Sequence, residues 1–177
     1  MSRKATGFTL VEVMASVSIL SILLAVALPA FAALLERQRA ASAVAALVSH
    51  MSHARLAAVK HRRPTVLCPS TDGQTCLRGG DWSQGWMMFV DRDNTRLPAR
   101  ESDILQFDPR PRSRHLRILS SAGRSYLRYM PDGRSAGSNL TINICDLDGT
   151  RLAAVVVNNA GRPRIEPGGA GERHCSN

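Results

Sequence analysis

Glu12 is the first residue in this chain whose chemistry needs an account. It is the one ionisable group between Phe8 and Leu35, in a run from Gly7 that reads GFTLVEVMASVSILSILLAVALPAFAALL. A carboxylate in the apolar part of a membrane segment is costly unless it is paired or protonated. No Lys, Arg or His lies within the run. The nearest obtainable cation is a new α-amino group at Phe8, one helical turn earlier, made by cutting the chain after Gly7.

The next reactive set is Cys68, Cys76, Cys145 and Cys175, all of which follow the apolar run. Four cysteines beyond a membrane more often form two disulfides than bind metal. No C-x2-C pair or nearby C-x-H spacing supports zinc. Three connectivities are open. The favoured one joins Cys68 to Cys76 across PSTDGQT and Cys145 to Cys175, tying the tail to a strand, with each bridge contributing on the order of 2 to 4 kcal/mol.

Two arginines, Arg162 and Arg164, are spaced by one residue in an extended segment, so both guanidiniums can meet phosphates along one groove. Arg173 would join them if a bridge to Cys175 pins the tail. The competing role is a solvated edge strand whose arginines discourage further pairing. Pro163 lies between them, removing a donor and restricting Arg162. A second basic run holds Arg110, Arg112, Arg114, Arg117, Arg124, Arg128 and Arg134 and is read as a loop and the exposed faces of two strands. Nothing resembles a groove-reading helix, so base-specific recognition is not expected.

Other candidates reduce to structure. His50, His53 and His61 are placed on the polar side or flank of a helix, a solvated face rather than a metal site. The segments Asp91-Arg92-Asp93-Asn94 and Asp146-Leu147-Asp148-Gly149 alternate acids that suit calcium, but the first lacks the glycine and terminal Glu of an EF-hand loop, and both are read as turns. There is no G-x-S-x-G elbow, phosphate-binding glycine loop or H-E-x-x-H. No enzyme activity, cofactor or metal is expected.

The elements that must position these groups follow from pattern. At ~1.5 Å per residue the apolar run is long enough to cross a ~30 Å hydrocarbon layer. Arg3 and Lys4 in the leader, with no acid, place the N-terminus in the cytoplasm and the rest outside. An ordinary secretory signal would have a core of ~7 to 15 residues free of acid, unlike this one. The helix continues: Ala40, Val44, Leu47, Val48, Met51, Ala54 and Ala58 recur at three- and four-residue steps, and Pro64 stops the helix near Arg62 or Arg63. Pro29 removes one backbone bond and should kink or loosen it.

After Pro64 the pattern becomes short β segments between Gly, Pro, Asp and Ser. Candidates are Thr65 to Cys68, Trp86 to Val90, Ile104 to Phe107, Leu116 to Leu119, Tyr126 to Met130, Leu140 to Cys145, Leu152 to Val157 and Arg164 to Glu166. The expected fold is α+β: one long N-terminal helix on a β-sandwich-like antiparallel domain. The regions are a leader at 1–7, a membrane or filament helix at 8–35, its amphipathic second half at 36–63 and a globular β domain at 64–177 with a basic tail. The formal charge is +9, of which Arg3 and Lys4 carry two; the remaining +7 attracts nucleic acid and anionic headgroups.

The short basic leader, Gly7-Phe8-Thr9-Leu10-Val11-Glu12 and an apolar helix containing Pro29 resemble the class III signal of type IV pilins and type II secretion pseudopilins. The resemblance implies cleavage by a prepilin peptidase between Gly7 and Phe8, N-methylation of Phe8, and neutralisation of a neighbouring subunit's amine by Glu12 as helices bundle. Asp81-Trp82-Ser83-Gln84-Gly85-Trp86, Met130-Pro131-Asp132-Gly133-Arg134 and Asn159-Ala160-Gly161-Arg162 resemble the GspH/FimT branch; the two tryptophans read as core rather than a base-stacking platform. Gly161-Arg162-Pro163-Arg164 is similar to the GRxR motif of FimT-like minor pilins, which implies non-specific DNA binding for natural transformation. The implied partners are other major and minor pilins, the peptidase, DNA and the inner membrane. The implied location is a single-pass inner-membrane precursor with a periplasmic domain, then the pilus at the cell surface. Alternatives are the minor pseudopilin H of a type II secretion system, purely structural, and a signal-anchored envelope protein.

Overall fold

In a computed structural model of the chain, residues 9–109, 115–137, 139–169 and 175 are described. Gly7, Phe8, Arg110, Arg112, Arg114 and Arg173 lie outside them. Helix α1 spans Leu10–His61, with Pro29 inside it. The chain divides after Glu36 into two compact units. In the first, an 18-residue window of mean hydropathy 2.5 is wholly unburied, and the helix is long and apolar enough to cross a membrane.

The second unit has its own core. Ala40, Ala43, Val44, Leu47, His50, Met51, Ala54 and Ala58 form the buried stripe of α1. The helix ends in a Schellman turn: Arg62 N–H donates to Val59 O and Arg63 N–H to Ala58 O, both at 3.3 Å, with Arg62 at φ 50°. Pro64 then prevents continuation.

Eight strands follow: β1 (Thr65–Pro69), β2 (Trp86–Val90), β3 (Ile104–Asp108), β4 (Arg117–Ser120), β5 (Leu127–Tyr129), β6 (Leu140–Cys145), β7 (Arg151–Val157) and β8 (Pro163–Pro167), with a 3-10 turn at Glu101–Asp103. They build two antiparallel sheets ordered β3-β2-β1-β5 and β4-β6-β7-β8. One cluster joins the helix stripe to inward residues of both sheets, among them Leu67, Trp86, Tyr129, Ile142 and Val155. The opposite face of the first sheet is also apolar: Val66, Cys68, Met87 and Phe89 pack with Cys76, Ile104, Phe107 and Tyr126. That double burial is why β1 and β2 read as unbroken apolar runs.

The bridges are Cys68–Cys76, with 5.6 Å between Cα atoms, and Cys145–Cys175, with 6.3 Å. The first closes a loop whose Asp72 carboxylate accepts the Gln74 and Thr75 N–H groups at 2.8 and 2.9 Å. Those donors, the Thr75 bond first, hold its carboxyl well below the usual range.

His50 corrects the sequence reading. It is 9% exposed rather than on a solvated face. Trp86 Nε1–H donates to its Nδ1 at 2.7 Å, and the Gln106 amide lies 2.7 Å from its Nε2. An indole N–H can only donate, so Nδ1 accepts and the ring hydrogen sits on Nε2; the Gln106 Nε2 placed opposite it cannot accept, so the amide is assigned in its flipped orientation with the oxygen toward the ring. Trp82 and Trp86 are 0% and 1% exposed, as core residues.

Candidate nucleic-acid interface

The Arg162 and Arg164 segment is held by an unusual corner. β7 ends in a turn in which Gly161 N–H donates to Asn158 O at 2.8 Å, and Gly161 takes φ +74°. A Cβ there would overlap the Gly133 carbonyl oxygen and stand 3.0 Å from Tyr129 Cε1, so the position needs glycine for both conformation and space. Ser135 N–H donates to Asn159 O at 3.1 Å. The 130–135 turn and the 158–161 turn are therefore docked on each other.

The first of these turns is internally braced. Met130 N–H bonds Arg134 O and Gly133 N–H bonds Met130 O, each at 2.8 Å. The Asp132 carboxylate accepts Arg134 N–H at 2.9 Å and Arg134 Nε–H at 2.7 Å. These two bonds, the backbone one first, lower the Asp132 pKa. Gly133 faces α1: a Cβ on it would be 3.1 Å from Arg55 Nε and 3.5 Å from Val59 Cγ2.

Past the corner, β8 is an edge strand on β7, with Arg164 opposite Val156 and Pro163 opposite Val157. Gly168 N–H donates to Leu152 O at 3.0 Å, which fixes the ladder's alternation. Residues 163, 165 and 167 therefore have their backbone groups turned away from β7. Two of the three are proline, so only Ile165 offers an outward N–H. Arg162 and Arg164 are exposed. Neither side chain has a hydrogen-bond or ion-pair partner among the described residues. The extended strand and its open edge leave both side chains able to reach an anion.

Of the second basic run, Arg124 and Arg128 are not on an exposed face, while Arg134 is exposed. Arg124 is buried and donates to Tyr126 O at 3.3 Å, Ser135 Oγ at 2.9 Å and Ala136 O at 2.5 Å; burial lowers its pKa. Arg128 pairs with buried Asp91 at 3.1 Å and bonds Asn94 Oδ1. Arg134 is occupied by Asp132. The guanidiniums of Arg124 and Arg128 are spent inside the fold because the desolvated carboxylate and carbonyls need donors, whereas the Arg134–Asp132 pair lies on the surface. Asp91 also accepts Arg96 N–H at 3.1 Å. Asp146 accepts Thr150 N–H at 2.7 Å. No group of three or more metal-ligating side chains is present among the described residues.

In the apolar helix, Thr9 Oγ1 accepts the Glu12 N–H at 3.3 Å. Thr9-Leu10-Val11-Glu12 thus has the spacing of a capping box, a local signal in the sequence that the charge argument passed over.

The family model for the type II transport protein GspH matches residues 43–161, and that for the prokaryotic N-terminal methylation motif matches residues 2–28. The chain belongs to the GspH family. Among solved structures, the GspH-family chain is similar to the type IV minor pilin FimU of Pseudomonas aeruginosa in two crystal forms. One has 24% identity over 75% of this chain and 91% of FimU, with a TM-score of 0.58; the other has 21% identity over 71% and 91%, with a TM-score of 0.52. At that identity the likeness establishes the fold: a long helix on antiparallel sheets. No curated protein sequence matches the chain. A GspH-type minor pilin or pseudopilin, with the methylation motif on an apolar helix, is a filament subunit made as a membrane-anchored precursor.

Proposed function

We propose that this GspH-family chain is a FimT-like minor pilin that binds DNA without sequence preference for uptake. In this reading a prepilin peptidase cuts between Gly7 and Phe8, Phe8 is methylated, and Glu12 meets the amine of a neighbouring pilin as the helix enters or primes a pilus. The precursor sits in the inner membrane with residues 37–177 in the periplasm and later reaches the cell surface. Arg162 and Arg164 contact phosphates, and Arg173 is a third arginine assigned to the same role.

One observation carries the reading: the Gly161 corner fixes Arg162 and Arg164 on an exposed edge with no internal anion partner among the described residues, while Arg124 and Arg128 are consumed internally and Arg134 pairs with Asp132 on the surface. The test is DNA binding by the domain over a salt series, beside the double variant Arg162→Ala and Arg164→Ala. Two lost phosphate contacts lower the slope of log K against log salt by about 1.8. No binding by the parent at low salt removes the DNA reading. The structural pseudopilin H reading, which the GspH match equally accommodates, then takes its place.

A further inference from the structure

We infer that Arg55 of α1 and Arg63, just past its end, form a second wall of the same phosphate-binding surface, so that DNA lies across the end of the helix as well as along the Arg162 edge. The inference rests on the DNA reading above.

The observation behind it is that Gly133 is a shared neighbour. On one side its missing Cβ leaves room for Arg55 Nε; on the other its carbonyl oxygen fills the place where Gly161 would carry a Cβ. Contact distances and bond lengths then put Arg55 Nε within about 11 Å of Gly161 Cα. Arg55 and the Gly161 corner are therefore close enough for one duplex to meet both.

The charge of Arg55 is not answered by a carboxylate among the described residues. Its electrostatic neighbour is the buried Tyr129 phenol, whose pKa is pushed up to about 12 by burial, so the phenol is neutral at physiological pH. The nearby Asp132 is occupied by Arg134. None of the ion pairs among the described residues involves Arg55. Helix-dipole compensation is confined to the last turn of a helix, which accounts for Lys60 but not for Arg55. Val59, one turn on, also faces Gly133. Arg63 lies past the helix end and its left-handed turn, two residues before Thr65, which pairs with Tyr129 at the start of the 130–135 turn, and it is exposed.

The experiment uses the full chain in zwitterionic detergent with a short DNA duplex between 50 and 200 mM salt, comparing parent, Arg55→Gln, Arg63→Ala and Arg162→Ala. Each of the first two variants is expected to lower the salt slope by about 0.9, a three- to fourfold smaller loss of affinity over that range. Arg55→Lys, which keeps the charge, restores the parent slope even if Arg55→Gln also loosens the Gly133 turn. If Arg162→Ala lowers the slope while the Arg55 and Arg63 variants leave it unchanged, the second wall is overturned and the edge reading stands. If the parent does not bind, both fall. A variant that loses binding to anionic vesicles but keeps its DNA slope would overturn the inference in favour of a membrane-facing role.

Discussion

Acidification should weaken this domain through one buried ring, His50. Its pKa is lowered, chiefly by burial, with Asp108 at 3.9 Å pulling it up and His53 pushing it down. Above about pH 6.5 the ring is neutral in both folded and unfolded chains and its contribution is complete. As pH falls below that value the unfolded chain takes up the proton first, so stability declines by at most ~1.4 kcal/mol per pH unit until the folded ring also protonates. The ceiling is set by what a protonated ring must give up. A charged Nδ1–H cannot accept the Trp86 indole proton, and leaving a buried donor unpaired costs about 1–3 kcal/mol. Urea unfolding of residues 37–177 between pH 7.5 and 5.5, followed by tryptophan fluorescence, reads this loss while carboxylates stay charged. His50→Gln should be destabilised at pH 7.5 yet show a flatter pH profile. Parallel profiles for parent and variant, or a His50 ring that titrates at or above 6.5 by NMR, would refute the reasoning.

The remaining expectations concern the backbone and the tail. Arg62→Gly should raise stability by up to about 1 kcal/mol, because a left-handed arginine at the helix end carries a cost that glycine avoids; an unchanged or lower urea midpoint would count against the Schellman assignment. Gly161→Ala should cost at least about 1–3 kcal/mol, since alanine meets both a left-handed φ and the Gly133 carbonyl; amide exchange in the 130–135 turn is expected to rise with it. Replacing Cys145 and Cys175 together by Ser should cost about 3–4 kcal/mol for a loop of 30 residues, and a drop under 1 kcal/mol in denaturant unfolding would place the bridge outside the stability of the sheet.

Much of the architecture was legible because its signals are local. Apolar, β-branched segments bounded by Gly and Pro marked all eight strands to within a residue or two, and Pro64 marked the end of α1. What escaped depends on partners far along the chain. His50 was assigned by its polarity, although it falls three residues after Leu47 and four before Ala54, on the buried stripe. Arg124 and Arg128 read as a basic face because the Asp91 carboxylate, the Ser135 hydroxyl and the Ala136 carbonyl that absorb them are set by tertiary packing. Arg162 and Arg164 were visible as a pair, but the docking of Gly161 on Gly133, which orients them, joins turns on different sheets and leaves no periodic trace.

The Cys145–Cys175 bridge gives the edge strand a mechanical property. A load hung on Arg164 and resisted by the helix would peel β8 from β7 one hydrogen-bonded pair at a time, the weak direction for a β-ladder. Arg164 is tied to β6 by two covalent routes: back through β7, and forward through about eleven residues to Cys175. The shorter route draws taut after roughly 40 Å, at ~3.4 Å per residue. From that extension the pull passes to Cys145 in the middle of the second sheet, and the edge becomes a tether of fixed length instead of a strand that unravels.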